Sequence, residues 1–93
     1  MVVGVVTIQL HLPGSNSLKA KRKIILSLKD RIKSKFNVSI SELEDNELWQ
    51  RCTLGMAIIS NDNTFANSVL SKAVDVVSNH PDAVVTDVKM EWY

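Results

Sequence analysis

Hydrophobic and polar residues alternate with two different periods along this chain. Residues 2–12 are aliphatic and β-branched with a period of two, which predicts a strand that ends at Pro13-Gly14. The face expected toward the core comprises Gly4, Val6, Ile8, Leu10 and Leu12. The opposite face comprises Val3, Val5, Thr7, Gln9 and His11.

A helical period follows this strand. Residues 15–17 are good N-cap types, and from Leu18 to about Phe36 apolar residues recur every three or four positions. We expect Lys21, Arg22 and Lys29 beside the apolar stripe, where their stems cover apolar surface while their charged groups reach water. The stripe itself comprises Leu18, Ile25, Leu28, Ile32 and Phe36.

The rest of the chain predicts three strands and a second helix. In order, the segments are an edge strand (38–44), a turn (45–49), a third strand (50–60), a helix capped by residues 61–63 and ending near Asn79, and a last strand (83–92). Leu43 is out of phase with Ile40, which indicates a β-bulge in the edge strand. Phe65 is expected on the core stripe of the second helix. One face of the last strand is expected to comprise Val84, Thr86, Val88, Met90 and Trp92.

The element order is therefore βαββαβ, the ferredoxin-like arrangement of the α+β class. Right-handed crossovers place both helices on one face of a four-stranded antiparallel sheet with the strand order 4-1-3-2. Because the chain has 93 residues, we expect a single domain over residues 1–93.

Positive charge is concentrated in the predicted first helix. Eight of the eleven Lys and Arg residues lie between Lys19 and Lys35, and Asp30 is the only acid among them. That segment has a net charge of +7 and the other residues have −6, so a chain of net charge +1 carries a strongly basic element on an acidic body. Such a distribution favours a polyanionic partner.

The candidate anion-binding residues are Lys19, Lys21, Arg22 and Lys23. They lie in the first turns of the helix, where unpaired backbone N–H groups and the positive end of the dipole also attract anions. Their charges oppose that dipole at a cost of roughly 0.3–1 kcal/mol per exposed charge, which favours a role beyond stability. The alternative is a solvated helix face whose cations pair with Glu42, Glu44, Asp45 or Glu47.

The sheet face that the helices leave uncovered is a second candidate surface. It is apolar and built of small residues, and neither central strand carries the aromatic residues that base-stacking RNA-recognition domains need. Small apolar residues instead suit packing against another protein, such as a second copy of this chain. The alternative is an exposed face too small to bind a partner. The candidate interface residues are Val3, Val5, Thr53, Ala57 and Ile59.

No residue pattern indicates catalysis, a cofactor or a metal site. The single cysteine, Cys52, alternates with larger apolar residues and is expected to be buried without an activating base. His11 and His80 lack metal-ligand spacing and are assigned structural roles. Trp49 is the better candidate of the two tryptophans for an exposed contact. We therefore expect a non-enzymatic cytoplasmic protein without a cofactor, a metal or a membrane partner.

Four segments resemble the YlxP-like family of small bacterial proteins. They are His11-Leu-Pro-Gly-Ser-Asn-Ser-Leu-Lys-Ala-Lys-Arg22, Phe36-Asn-Val-Ser39, Leu48-Trp-Gln-Arg51 and Ser60-Asn-Asp62. The resemblance covers essentially the whole chain. It implies a ferredoxin-like fold and a cytoplasmic bacterial protein whose gene lies near genes for translation initiation and ribosome maturation. The family has no established catalytic residues, so the resemblance assigns none.

Three functions are compatible with these observations. The first hypothesis is a non-enzymatic protein that associates with RNA or a ribosomal particle through phosphate contacts of the first helix. The second is a homodimeric or protein-interaction module that uses the open sheet face. The third is a small-ligand-binding domain of the kind often built on this fold.

Overall fold

Six elements follow one another in the predicted order. The computed structural model describes residues 1–44 and 47–93, so Asp45 and Asn46 of the predicted turn lie outside the described residues. The elements are β1 (Val2–His11), α1 (Leu18–Lys35), β2 (Ser39–Glu44), β3 (Arg51–Ser60), α2 (Asn63–Ser78) and β4 (Val84–Trp92).

The four strands form an antiparallel sheet in the order β2-β3-β1-β4. This is the predicted order read from the opposite edge. The central strands β1 and β3 pair along their whole length, from Val2 opposite Ser60 to His11 opposite Arg51. Helix α1 packs against β2, and α2 packs against β1, β3 and β4. The ferredoxin-like α+β fold is thereby confirmed.

Side-chain caps set the start of both helices. The Oγ atom of Ser17 accepts a hydrogen bond from the backbone N–H of Ala20 at 3.0 Å. A carboxylate oxygen of Asp62 accepts a hydrogen bond from the backbone N–H of Thr64, also at 3.0 Å. Each bond satisfies an N–H group that has no partner within its helix. The caps predicted within residues 15–17 and 61–63 are confirmed.

A β-bulge interrupts β2. The register between β2 and β3 shifts between Glu42 and Glu44, which confirms the bulge indicated by Leu43. Ile40 faces the helices and is buried, whereas Leu43 lies over Gly55 on the open face of the sheet. Alternation from Ser39 and Ser41 places this apolar side chain on the face that the helices leave uncovered, and the bulge shifts the pairing of Glu44, which lies opposite Thr53.

A second bulge changes which side chains of β4 face the core. The register between β1 and β4 shifts between Gln9 and Leu10, so that Thr86 has no opposite residue. Val85 lies opposite Leu10 and packs against the core, whereas Val84 is exposed. The predicted face shared by Val84 and the even-numbered residues that follow is wrong, because one extra residue reverses the alternation.

The core lies between the two helices and the sheet face that they cover. Cys52 is buried as predicted. Phe65 is 59% exposed, which contradicts its predicted core position, because the buried stripe of α2 begins one residue later. The buried residues of α2 are Ala66, Leu70, Ala73 and Val77. The strands contribute Val6, Ile8, Leu10, Ile40, Cys52, Leu54, Met56 and Ile58.

Gly4 allows a tryptophan ring to lie directly on the sheet. It is opposite Trp92 of β4. A Cβ atom at this position would lie 2.5 Å from Cζ3 of Trp92 and 2.9 Å from Cδ1 of Leu70 in α2. The indole ring therefore fills the space between the strand and α2 that any larger residue at position 4 would occupy.

We expect Gly4→Ala to lower the free energy of unfolding by about 1–3 kcal/mol, because the added methyl group overpacks the contact with Trp92. Urea denaturation measures the change. Gly14→Ala is the matched control, since no atom lies within 4 Å of a Cβ at that position, and a change within about 0.5 kcal/mol is expected there. Equal stability of the two variants would contradict the close approach at Gly4.

Candidate phosphate-binding surface on the first helix

The turn that leads into α1 is fixed by the residue before β3. The backbone N–H of Leu12 donates to the carbonyl of Gln50 at 2.9 Å. The side-chain amide of Gln50 donates to the carbonyls of Pro13 and Ser15 at 3.3 and 3.2 Å. Gln50 therefore ties the start of α1 to the central strand β3. No local pattern in the sequence reveals this role, because the contact joins distant parts of the chain.

Lys21 points into the protein rather than toward solvent. Its side chain is 2% exposed, and its Nζ atom lies 2.9 Å from Oε2 of Glu42, whose side chain is 21% exposed. That Oε2 atom is itself sealed from solvent. An external phosphate cannot reach this ammonium group without displacing Glu42. The assignment of Lys21 as an anion-binding residue is therefore corrected, and the alternative of pairing with Glu42 holds for this residue.

Helical spacing explains why Lys21 is buried. It precedes Ile25 by four residues, and the buried residues of α1 (Lys21, Ile25, Leu28 and Ile32) follow one another at the three- and four-residue intervals of one helix face. Glu42 follows buried Ile40 by two residues, so both lie on the helix-facing side of β2. Both intervals are present in the sequence. The pair is nevertheless hard to predict from the sequence, because lysine and glutamate are seldom buried.

Lys19, Arg22 and Lys23 are exposed on the outer side of α1. Two ion pairs occur among residues 1–44 and 47–93, Lys21–Glu42 and Lys89–Glu91, and neither involves these three cations. The first turn of α1 contains no acidic residue, so their charge adds to the positive end of the helix dipole. The structure thus leaves three of the four predicted residues accessible to an anion.

The basic surface continues along one flank of the helix. Arg22, Leu26, Lys29 and Lys33 follow one another at intervals of four, three and four residues, so they form a line about 16 Å long. Leu26 is 60% exposed within this line. Phosphates of one nucleic-acid strand recur about every 3.4 Å along a duplex, so a line of this length spans several of them.

The open face of the sheet contains a shallow apolar groove. Ile59, at one end, is 67% exposed, and Leu43 is 51% exposed. Between them the floor consists of half-buried Val3, Val5 and Ala57. The serine side chains of β2 form the rim. Four of the five predicted interface residues therefore line one continuous surface.

Thr53 does not belong to that surface, because it is only 4% exposed. It lies between Gln9 of β1 and Glu44 of β2. Its position between two longer side chains, beside the β2 bulge, leaves little of a threonine accessible. The assignment of Thr53 as an interface residue is corrected.

The other candidate residues have structural contacts or isolated positions. Nδ1 of His11 lies 3.2 Å from the carbonyl oxygen of Gln50, and Nδ1 of buried His80 accepts a hydrogen bond from the backbone N–H of Asp82 at 3.1 Å. Trp49 is 54% exposed. Within residues 1–44 and 47–93, no three potential metal ligands lie together. None of the helices in these ranges has the length and hydrophobicity needed to cross a membrane.

We expect Lys21→Met and Glu42→Leu each to lower the free energy of unfolding by about 1–3 kcal/mol, because each leaves a partly buried charge without its partner. The double variant should lose less than the sum of the two, since two apolar residues can pack where the ion pair stood. A double-mutant cycle by urea denaturation measures this coupling. Additive losses would contradict a direct interaction between the two side chains.

Comparison with known proteins places the chain in a family. Residues 3–90 match DUF503, which is described as a protein of unknown function. The chain is 32% identical over 79 residues to the uncharacterized protein YlxP of Bacillus subtilis (strain 168), and this match covers 85% of the chain and 86% of YlxP. It also resembles a de novo designed protein with a ferredoxin fold, solved by solution NMR. That likeness has a TM-score of 0.61 and 11% identity, and it covers 98% of the chain and 86% of the designed protein. The resemblance to the YlxP-like family is thus confirmed, and the chain belongs to DUF503.

Proposed function

We propose that this protein is a non-enzymatic, RNA-associated factor that binds phosphates through Lys19, Arg22 and Lys23 of α1. The observation that carries the proposal is that the four basic residues at the start of α1 differ in their surroundings. Lys21 is paired internally with Glu42. Lys19, Arg22 and Lys23 are exposed and take part in neither ion pair of the described residues. Three positive charges of the helix therefore remain exposed to solvent after the internal ion pair has formed.

The expected contacts are to the backbone of RNA rather than to its bases. The central strands β1 and β3 contain no Phe, Tyr or Trp, and stacking on aromatic side chains is how sheets of this topology hold unpaired bases. Phosphate contacts position a protein on a nucleic acid but carry no sequence information. The proposed function therefore predicts low sequence specificity. The gene neighbourhood that the family resemblance implies supports a partner in a ribosomal particle.

Binding to a short RNA duplex, followed by fluorescence anisotropy, tests the proposal. Three phosphate contacts predict a roughly 20- to 40-fold loss of affinity between 50 and 200 mM salt. Each charge reversal at a contact should also reduce the salt slope by about one. Lys19→Glu/Lys23→Glu is therefore expected to weaken binding strongly at low salt and to flatten its salt dependence.

Lys23→Glu and Lys72→Glu form a matched pair for the same assay. Both replace one exposed helical lysine and change the net charge equally, but Lys72 lies on α2. The proposal requires Lys23→Glu to weaken binding and Lys72→Glu to leave it unchanged. Equal weakening by the two variants would show an effect of net charge alone, and wild-type affinity of Lys19→Glu/Lys23→Glu would refute the site.

The groove on the open face favours a second candidate function, a protein-interaction or homodimer module. Its support is the exposure of Ile59 and Leu43 around a half-buried apolar floor. Contact between apolar surface and water is unfavourable in free energy, and a protein partner that covers the groove would remove that contact. Val5→Lys places a charge in the middle of this floor. A complex that Val5→Lys breaks, while circular dichroism shows an unchanged fold, identifies the groove as its contact.

A further inference from the structure

Strand β4 is an edge strand of the sheet and pairs only with β1 among the described residues. Val3 and Tyr93 exchange both of their backbone hydrogen bonds, at 3.0 and 2.8 Å. In an antiparallel pair such exchanges recur at every second residue, so residues 87, 89 and 91 also bond to β1. The backbone groups that point outward from the sheet therefore belong to Val88, Met90 and Trp92.

The side chains of this edge alternate between charged and apolar. Lys89 and Glu91 lie on the open face, with side chains 69% and 42% exposed and charged atoms 3.9 Å apart. Val88 and Trp92 lie on the other face and are 39% and 38% exposed. Glu91 also accepts a hydrogen bond from the hydroxyl of Tyr93 at 3.0 Å, and this bond together with the carboxylate charge raises the pKa of Tyr93.

We propose that β4 pairs antiparallel with β4 of a second copy of this chain, with the two-fold axis at Met90. In this register the outward backbone groups of residues 88, 90 and 92 form the intermolecular hydrogen bonds. Lys89 faces Glu91 of the partner subunit, and Val88 faces Trp92 of the partner subunit, each contact occurring twice. Opposite charges and β-branched–aromatic pairs are the favourable cross-strand combinations.

Charge and the bulge at Thr86 together select this register among its neighbours. An axis at Lys89 would place two ammonium groups opposite each other, and an axis at Glu91 would place two carboxylates opposite each other, both of which are unfavourable. An axis at Val88 would extend the pairing into the bulge at Thr86, where the edge is irregular. The register at Met90 uses only residues 87–93, which lie on the regular side of that bulge.

The opposite edge of the sheet lacks these properties. Strand β2 has six residues and contains the bulge between Glu42 and Glu44. Its Glu42 is already paired with Lys21 of α1, and the strand contains no lysine or arginine that could face Glu44 of a second copy. A short, bulged edge strand is a common way of preventing edge-to-edge pairing. Of the two edge strands, β4 therefore has the charge pattern that complements a second copy of itself, and β2 does not.

Sedimentation velocity over a concentration series up to the millimolar range tests the dimer. Lys89→Glu and Glu91→Lys should each be monomeric, because each places like charges opposite one another in the pair. An equimolar mixture of these two variants should form a heterodimer, since glutamates on one chain then face lysines on the other. Both substituted side chains are exposed, so folding is expected to survive, and circular dichroism checks it.

Amide hydrogen exchange provides a site-specific readout on the unaltered chain. The N–H groups of Val88 and Met90 should exchange more slowly as the protein concentration rises, whereas that of Lys89, which bonds to β1, should not change. A wild-type chain that stays monomeric at millimolar concentration overturns the proposal. So does a dimer that Val5→Lys breaks and Lys89→Glu leaves intact, because that dimer would use the groove. Neither result depends on whether α1 binds RNA.

Discussion

The buried ion pair between Lys21 and Glu42 joins the basic helix to the sheet and turns one of its charges inward. Taking both charges out of water costs free energy that their attraction largely offsets, so such a pair adds little net stability while the loss of one partner is costly. Here it joins β2 to the same face of α1 that buries Ile25, Leu28 and Ile32. Once Lys21 points inward, residues 22 and 23 are rotated by about 100° and 200° from it and must lie toward solvent. The face that buries Lys21 with Ile25, Leu28 and Ile32 therefore orients the outward charge.

The fold follows from patterns that are local in the sequence. A period of two in residues 2–12, a period of three to four after Ser17, and caps at Ser17 and Asp62 suffice to define the elements, because each depends on neighbours within a few residues. The same reasoning fails where a long-range contact decides the outcome. Gln50 holds a turn that lies far away in sequence, and the bulge at Thr86 reverses a strand face without any residue type that marks it.

The candidate site shows the same limit at the level of single side chains. Exposure of Lys19, Arg22 and Lys23 could be predicted, since charged residues off the apolar stripe lie in water. Lys21 could not be separated from them by composition, and only its spacing from Ile25 places it on the buried face. Thr53 shows the opposite case. The alternating pattern assigns it correctly to the open face, but the pattern does not predict that neighbouring side chains exclude solvent from it.

The proposed phosphate-binding surface and the proposed self-pairing edge lie at opposite sides of the sheet. Helix α1 packs on β2, and β4 is the strand furthest from β2. In a dimer joined at β4, the two β2 strands would be seven strand spacings apart, which is roughly 34 Å. Adjacent strands also twist by roughly 20–25°, so the two α1 helices would face in different directions. The distance alone matches one turn of a duplex, but the twist accumulated over seven steps turns the two basic helices away from a common short duplex. In such a dimer each copy would therefore bind phosphates as an independent site.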